Sequence, residues 1–584
     1  MPTREDLMTT DDDTPRHGFP ALGWALPAAR APGDGTPRAH VPEARDDTTR
    51  YLCAAVHMDE DYADRAIREF LLEGTRPVPA SPGVDAAAVL GEAVAARTRR
   101  KLRDIPLFLL MAGFVALAPT IWWLAWILYG ALVSVASATT AVKRRSRVRS
   151  AVYIVGGLLV IGVVTYFAPQ MLDWLGGSSS AEEEESISAG VMVGAIMLVV
   201  AMLAVVLADR FAVWRHLDER FWPNRPTVSP WLRDRPVFQF SSRRQLGQLG
   251  RHVDPRPTMA AARTSGMPVP LVVYRNFVPF VGAGVPEKPW SIAVPLEDLP
   301  DAEPTAELTT ESLYNGIRAE LESLRAASVL APGRRLDELS LGEVVIVSSD
   351  ELVDHLADPT ASDFLQAPGV APFTMIRRER AEAIKADPLE WARYYQRYQV
   401  ETWDRDLVVT VFVHVAVGQG ALYVEWTPCV LRPIRKKYRD IDKMRRSVLR
   451  AVGRALVDLM VLPVTLPGRS VRTFSFLRAL PRERGLVVPE MYGASESLRE
   501  LAADTEVHNY FQLADVDRYL KMMESRLVLA VSRMMHAAGY SPASFDKQAA
   551  AVVNNNVKIS GSVSGDVVVG SGNKVGATTA PRPE

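Results

Sequence analysis

Three stretches almost free of charge, residues 106–138, 151–172 and 188–207, constrain this chain more than any other feature. A helix rises ~1.5 Å per residue, so ~20 apolar residues cross a ~30 Å hydrocarbon core. The second and third stretches have that length and lack the polar stripe of a half-buried surface helix. They predict transmembrane spans at 151–172 and 188–208. The first stretch is long for one crossing and contains Pro119, which removes a helical hydrogen bond and bends the chain. It predicts a hairpin over 105–141 turning at Ala118-Pro119-Thr120, with one kinked, tilted helix as the competing arrangement. The transmembrane region is thus expected over 105–208.

The flanks suggest an orientation. Arg97, Arg99, Arg100, Lys101 and Arg103 precede the first stretch, and Lys143, Arg144, Arg145, Arg147 and Arg149 follow it. The loop before the third stretch carries Asp173 and Glu182 to Glu185 with no Lys or Arg. Basic loops stay on the cytoplasmic side. The reading is therefore a multi-pass plasma-membrane protein with both termini cytoplasmic. No ionisable side chain interrupts the spans, and such groups mark transport paths, so the spans read as an anchor.

Outside the spans, 67 Lys and Arg face 68 Asp and Glu, which gives no basic excess for nucleic acid. Two cysteines argue against a disulfide framework, and by ligand count they exclude a Cys-based zinc site unless His residues contribute. The nine histidines are scattered without a metal-ligand spacing, so no cofactor or metal is expected. Residues 1–50, rich in Pro, Asp, Thr and Gly, read as a solvated arm with no apolar signal segment after Met1. Residues 51–104 read as a cytoplasmic helical segment. Its helices lie at 59–72, with Tyr62, Ala66, Ile67, Phe70 and Leu71 at helical spacing, and at 85–103 with Asp85 as N-cap.

Residues 209–550 read as a cytoplasmic α+β domain, an antiparallel hairpin plus helices. Strands are expected at 271–274, 290–296 and 343–348, and a helix at 310–327. The clearest signal is the hairpin 407–417 and 421–431 about Gly418-Gln419-Gly420. Leu407, Val409, Val411, Val413, Val415 and Val417 share one face of its first strand. His414, on the other face beside Phe412, reads as a packed core residue rather than a catalytic one. A helix at 442–460 puts Met444, Val448, Val452, Leu456 and Leu459 on one side, flanked by basic residues. Arg435, Lys436, Lys437, Arg446, Arg450 and Arg454 are the candidate contacts to anionic lipid headgroups, an ordinary solvated face being the alternative. A last helix is expected at 515–538, with Asp515 as N-cap and Gly539 ending it.

The tail, 551–584, is rich in Val, Asn, Gly and Ser, and two strand-like units recur ten residues apart at Asn556 and Asp566. Such units can stack as a short β-rich repeat. Val567, Val569, Gly570, Asn573 and Val575 resemble the RHIM-type amyloid signalling motif, although Val568 stands where that motif has Gln. The resemblance implies an assembly element; a small β-solenoid cap or a flexible Gly/Ser tail is the alternative. Phe280-Val281-Gly282-Ala283-Gly284-Val285 resembles the Gly-Ala-Gly loop of sirtuin-like NAD-binding domains, but no helix follows it, so a turn between strands is expected. The Arg50 to Ala55, Asn276 to Gly284 and Tyr394 to Trp426 segments resemble uncharacterised multi-pass membrane proteins of actinobacteria.

Together these readings predict a membrane protein: an α-helical transmembrane region, a cytoplasmic α+β domain and a β-rich tail. The expected function is a non-enzymatic, membrane-anchored scaffold or signalling protein. Its expected partners are the bilayer and a self- or protein-assembly through the tail. The alternative is a membrane-associated enzyme that binds a nucleotide or lipid headgroup at the Gly282 turn.

Overall fold

The computed structural model describes residues 47–118, 120–142, 183–221, 268–300, 303–327, 330–443, 448–474 and 489–555. The chain opens with helices α1 (Asp47–Met58) and α2 (Glu60–Ile67), the latter running into a π-turn at Arg68–Leu72. Asp59 starts α2 by accepting the Asp61 and Tyr62 backbone N–H. Asp85 caps α3 (Ala86–Leu117) by accepting the Ala88 N–H. Helix α3 passes through Pro106 and stops at Ala118, whose ψ of 146° is the extended geometry required of a residue before proline. Helices α4 (Thr120–Val142) and α5 (Glu183–Arg220) follow.

The rest is built on one eight-stranded mixed sheet. Its strands are β1 (Val269–Tyr274), β2 (Val285–Pro286), β3 (Trp290–Pro295), β4 (Ser340–Ser348), β5 (Met375–Ile376), β6 (Ala392–Thr402), β7 (Leu407–Gly418) and β8 (Ala421–Leu431). The order is β2-β8-β7-β6-β4-β1-β5, with β3 beside β2 along the edge of β8. Among the described strands only β1 and β4 pair in parallel; Leu271 faces Val345. Strands β7 and β8 lie where the alternating valines placed a hairpin, with Val413 opposite Trp426.

Alternation along the strands gives the sheet two buried faces. One carries Leu407, Val409, Val411, Val413 and Val415. Helices α6 (Thr310–Glu322), α10 (Tyr510–Ala537) and α11 (Ala543–Asn555) pack on it through Leu313, Ile317, Met523, Leu527 and Phe545. The other face buries Val344, Ile346, Tyr395, Phe412 and Cys429 under Phe280 and Ala283. A separate core joins α1, α2 and α3 to Tyr438, Ile441, Leu498 and Leu501. Helices α7 (Arg378–Ala386), α8 (Val448–Met460) and α9 (Leu462–Phe474) complete the elements used below.

The multi-span transmembrane fold class is corrected by this arrangement. Among the described residues one helix is long and apolar enough to cross a membrane, over Gly190–Arg220; Trp122–Ser134 of α4 is apolar but shorter. Residues 105–117 are the second half of a helix that begins in the N-terminal core. There Leu107, Met111 and Phe114 are buried against Ala195, Met202 and Val206 of α5 and against Ala455, Leu462 and Leu466. The basic flank is consumed internally: Arg97 pairs with Asp64 at 2.6 Å, Arg99 with Asp209, and Arg103 with Asp104 at 2.6 Å and Asp209 at 3.4 Å. Arg100 donates to the Val56 carbonyl. The span read at 151–172 lies outside the described residues. The domain read as a cytoplasmic hairpin plus helices becomes a mixed sheet with helices, an α/β architecture. Residues Ala551 to Asn555, assigned to the β-rich tail, belong to α11, and residues 556–584 lie outside the described residues. Helix α10 begins earlier than read: Asn509 caps it by accepting the Gln512 N–H, whereas Asp515 sits inside it and accepts from Trp403 Nε1 at 2.9 Å.

Asp59 supplies a testable junction. Its carboxylate caps α2, accepts the Tyr438 hydroxyl at 2.6 Å and pairs with Lys437. Burial opposes its charge, yet the bonds from Lys437 and Tyr438 hold its carboxyl at about 2. A folded value below the ordinary 3.8 stabilises the fold above that ordinary value, and the contribution is lost as pH falls through about 2. Asp59→Ala is expected to cost about 1–2 kcal/mol in urea unfolding at neutral pH. The gap to the parent chain should narrow at pH 3 and below; a gap independent of pH would show that the charge contributes nothing.

Candidate functional site

The Gly282 turn, which joins β1 to β2, forms a cradle of backbone N–H groups. Gly282 and Gly284 have φ of +95° and +93°, a region open to glycine and strained for other residues. Both N–H groups converge on one carboxylate. Gly282 donates to the two Glu500 oxygens at 3.0 Å each, Gly284 donates to Oε1 at 2.8 Å, and the Ser497 N–H donates to Oε2 at 2.7 Å. Successive N–H groups of this kind bind anions. Here the anion is the chain's own side chain. Burial pushes the Glu500 carboxyl up, while these backbone bonds pull it down. The turn therefore works as a clasp between the sheet edge and the 497–502 segment, and a nucleotide or headgroup phosphate would first have to expel Glu500.

The candidate lipid contacts are dispersed. Arg435 donates to the Ala503 carbonyl at 3.1 Å, Lys437 is paired with Asp59, and Lys436 and Arg454 are exposed. Arg446 and the side chain of Arg450 lie outside the described residues. Helix α8 packs on α5 and α4, where Ala455 is buried and Asp458 pairs with Arg210. His414 is a core residue. It is 5% exposed, with Nδ1 2.9 Å from the Tyr394 carbonyl oxygen and 3.2 Å from the Tyr314 hydroxyl. Burial lowers its pKa. The tail residues Val567, Val569, Gly570, Asn573 and Val575 lie outside the described residues.

A cluster that no local spacing announces forms where α1, α3 and α5 meet. His57 Nε2 lies 2.9 Å and His216 Nε2 3.3 Å from the same oxygen, Glu92 Oε2. The three ligating atoms are all within 4.8 Å of one another. The side chains are 1%, 9% and 3% exposed for His57, His216 and Glu92. The two rings meet edge to face at 4.6 Å, and Phe221 lies against both. Burial lowers the His57 pKa to about 4 against the pull of Glu92. Burial opposes charge on Glu92 too, but its bonds from His216 and His57 hold it at about 2.

The third feature is an apolar surface. Leu109 and Leu117 on α3, Leu128 and Leu132 on α4, and Met197 and Val200 on α5 are each between 46% and 73% exposed. Between α3, α4 and α9 lies a cavity of about 270 Å³ walled by Phe108, Met111, Trp123, Trp126, Pro463 and Leu466. Exposed apolar area on this scale marks an interaction surface.

The architecture is that of an α/β protein whose sheet carries helices and whose N-terminal helices expose an apolar flank. Residues 289–569, from the start of β3 to beyond α11, match the family model of the AbeC-like domain. No curated protein and no solved structure matches the chain.

Proposed function

We propose that this protein is a non-enzymatic scaffold or signalling protein that holds its mixed-sheet domain at a lipid bilayer. The observation that carries this reading is the apolar stretch of α5: 17% of its apolar window is buried inside the protein. The core helix of a compact domain would be mostly covered by its own chain, and this one is not. The exposed leucines of α3 and α4 extend the same apolar flank. Burial of such area is worth about 25 cal/mol per Å², so leaving it in water is disfavoured. The exposed Lys436 and Arg454 add attraction to anionic headgroups, and the 567–575 segment serves as the assembly element. An enzymatic role at the Gly282 turn is disfavoured because Glu500 already fills the cradle.

Vesicle flotation of the purified full chain tests the reading. The chain is expected to float with neutral phosphatidylcholine vesicles and to stay bound through a high-salt wash. Leu109→Glu combined with Leu128→Glu should release it. A chain that is monodisperse without detergent and stays at the bottom of the gradient overturns the proposal. Deleting residues 556–584 should abolish self-association, and unchanged assembly would remove the tail from it.

A further inference from the structure

We propose that His57, Glu92 and His216 form a closed binding site for one first-row divalent cation, of which Zn²⁺ is the best fit. Convergence is the first argument. His57 and His216 lie 35 and 124 residues from Glu92 in sequence, and the fold brings their three ligand atoms within 4.8 Å of one another from three helices.

Spacing is the second. Two ligand atoms each ~2.1 Å from a metal and ~90–110° apart stand ~3.0–3.4 Å from each other. The two nitrogen–oxygen edges measure 2.9 and 3.3 Å, and the nitrogen–nitrogen edge is within 4.8 Å. Bringing the two imidazole nitrogens to ~3.4 Å from each other about an ion would complete the polyhedron.

The donor set is the third. Two imidazoles and one carboxylate suit zinc and its first-row neighbours; calcium and magnesium prefer all-oxygen shells.

Enclosure sets the role. With side chains 1–9% exposed, the site admits no substrate, and the fourth position of a tetrahedron would be filled by a single enclosed water. The ion is structural. It staples the polar end of apolar helix α5 to α1 and α3, which fixes the angle at which α5 leaves the N-terminal core. This holds whether or not the apolar flank meets a bilayer.

The test uses the purified full chain, stripped with a chelator and then dialysed against Zn²⁺, with bound metal measured by elemental mass spectrometry. One ion per chain is expected for the parent and for His355→Ala, a control at an exposed histidine. None should be retained by His216→Ala or Glu92→Gln. Zn²⁺ should raise the thermal midpoint of the parent and leave both variants unmoved. Because a buried variant can fail to fold, Co²⁺ absorption of the parent chain provides an arm without substitutions: visible bands of a four-coordinate nitrogen–oxygen site are expected. A parent that retains no zinc, variants that retain as much as the parent, or a Co²⁺ spectrum identical to the aqueous ion would each overturn the site and leave a hydrogen-bonded triad.

Discussion

Glu500→Ala is expected to lower the unfolding free energy by about 3–5 kcal/mol, because it leaves three backbone donors without an acceptor. The Gly282 and Ser497 donors sit on buried residues, where water cannot replace the lost partner. Glu500→Gln should be nearly as damaging: its amide keeps one oxygen but turns two N–H groups toward a cradle already made of donors. Gly284→Ala should cost a similar amount for another reason. Its φ of +93° strains an L residue, and its Cβ would collide with the Val430 carbonyl and Leu431. Urea unfolding of each variant, read by tryptophan fluorescence, gives the values. A Glu500→Gln variant as stable as the parent, with newly gained affinity for inorganic phosphate, would instead make the turn a ligand site with a removable plug. The clasp interpretation would then be lost.

How much of this was legible beforehand follows from the range of the interactions. Strands β7 and β8 were readable because every second residue is apolar and the turn between them is two glycines about Gln419, so the pattern is entirely local. Strand β6 is as central, lying between β4 and β7, yet its Arg393, Gln396, Arg397 and Gln399 hide it. Gln396 and Gln399 are buried through partners on Tyr398 and Glu401, contacts that no pattern of hydrophobicity records. The break at Ala118-Pro119 was legible because proline dictates it chemically. The continuity of α3 through Pro106 was not, since packing on α1, α2, α5 and α9 outweighs the one hydrogen bond a proline forfeits. The His57, Glu92 and His216 cluster was invisible for the same reason: it exists only once α5 returns to α1. The Gly282 turn was correctly placed between strands, but its filler, Glu500, lies more than two hundred residues away.

Asp209→Ala is expected to destabilise the N-terminal helices by about 3–5 kcal/mol, the usual consequence of removing one member of a buried ion pair. Asp209 is 7% exposed and faces Arg99 and Arg103, which are 11% and 12% exposed. Arg103 keeps Asp104 at 2.6 Å, so the unpaired charge falls on Arg99. Pairing Asp209→Leu with Arg99→Met should recover much of the loss, because the cost lies in the abandoned charge more than in the pair itself. Hydrogen exchange across α3 and α5 would localise the effect, with protection in β6 and β7 unchanged. The result bears on what the arginines at 97–103 are for. Basic residues before an apolar stretch orient a membrane span only when they are free to meet water and headgroups. Arg97, Arg99 and Arg103 are instead 11–13% exposed and engaged with carboxylates of their own chain. If Asp209→Ala proved silent, those guanidinium groups would have an alternative partner outside the fold, and their density before α3's apolar half would again argue for a lipid surface. A large loss means that the charge of Arg99 is spent on joining two helices and is not available to a bilayer.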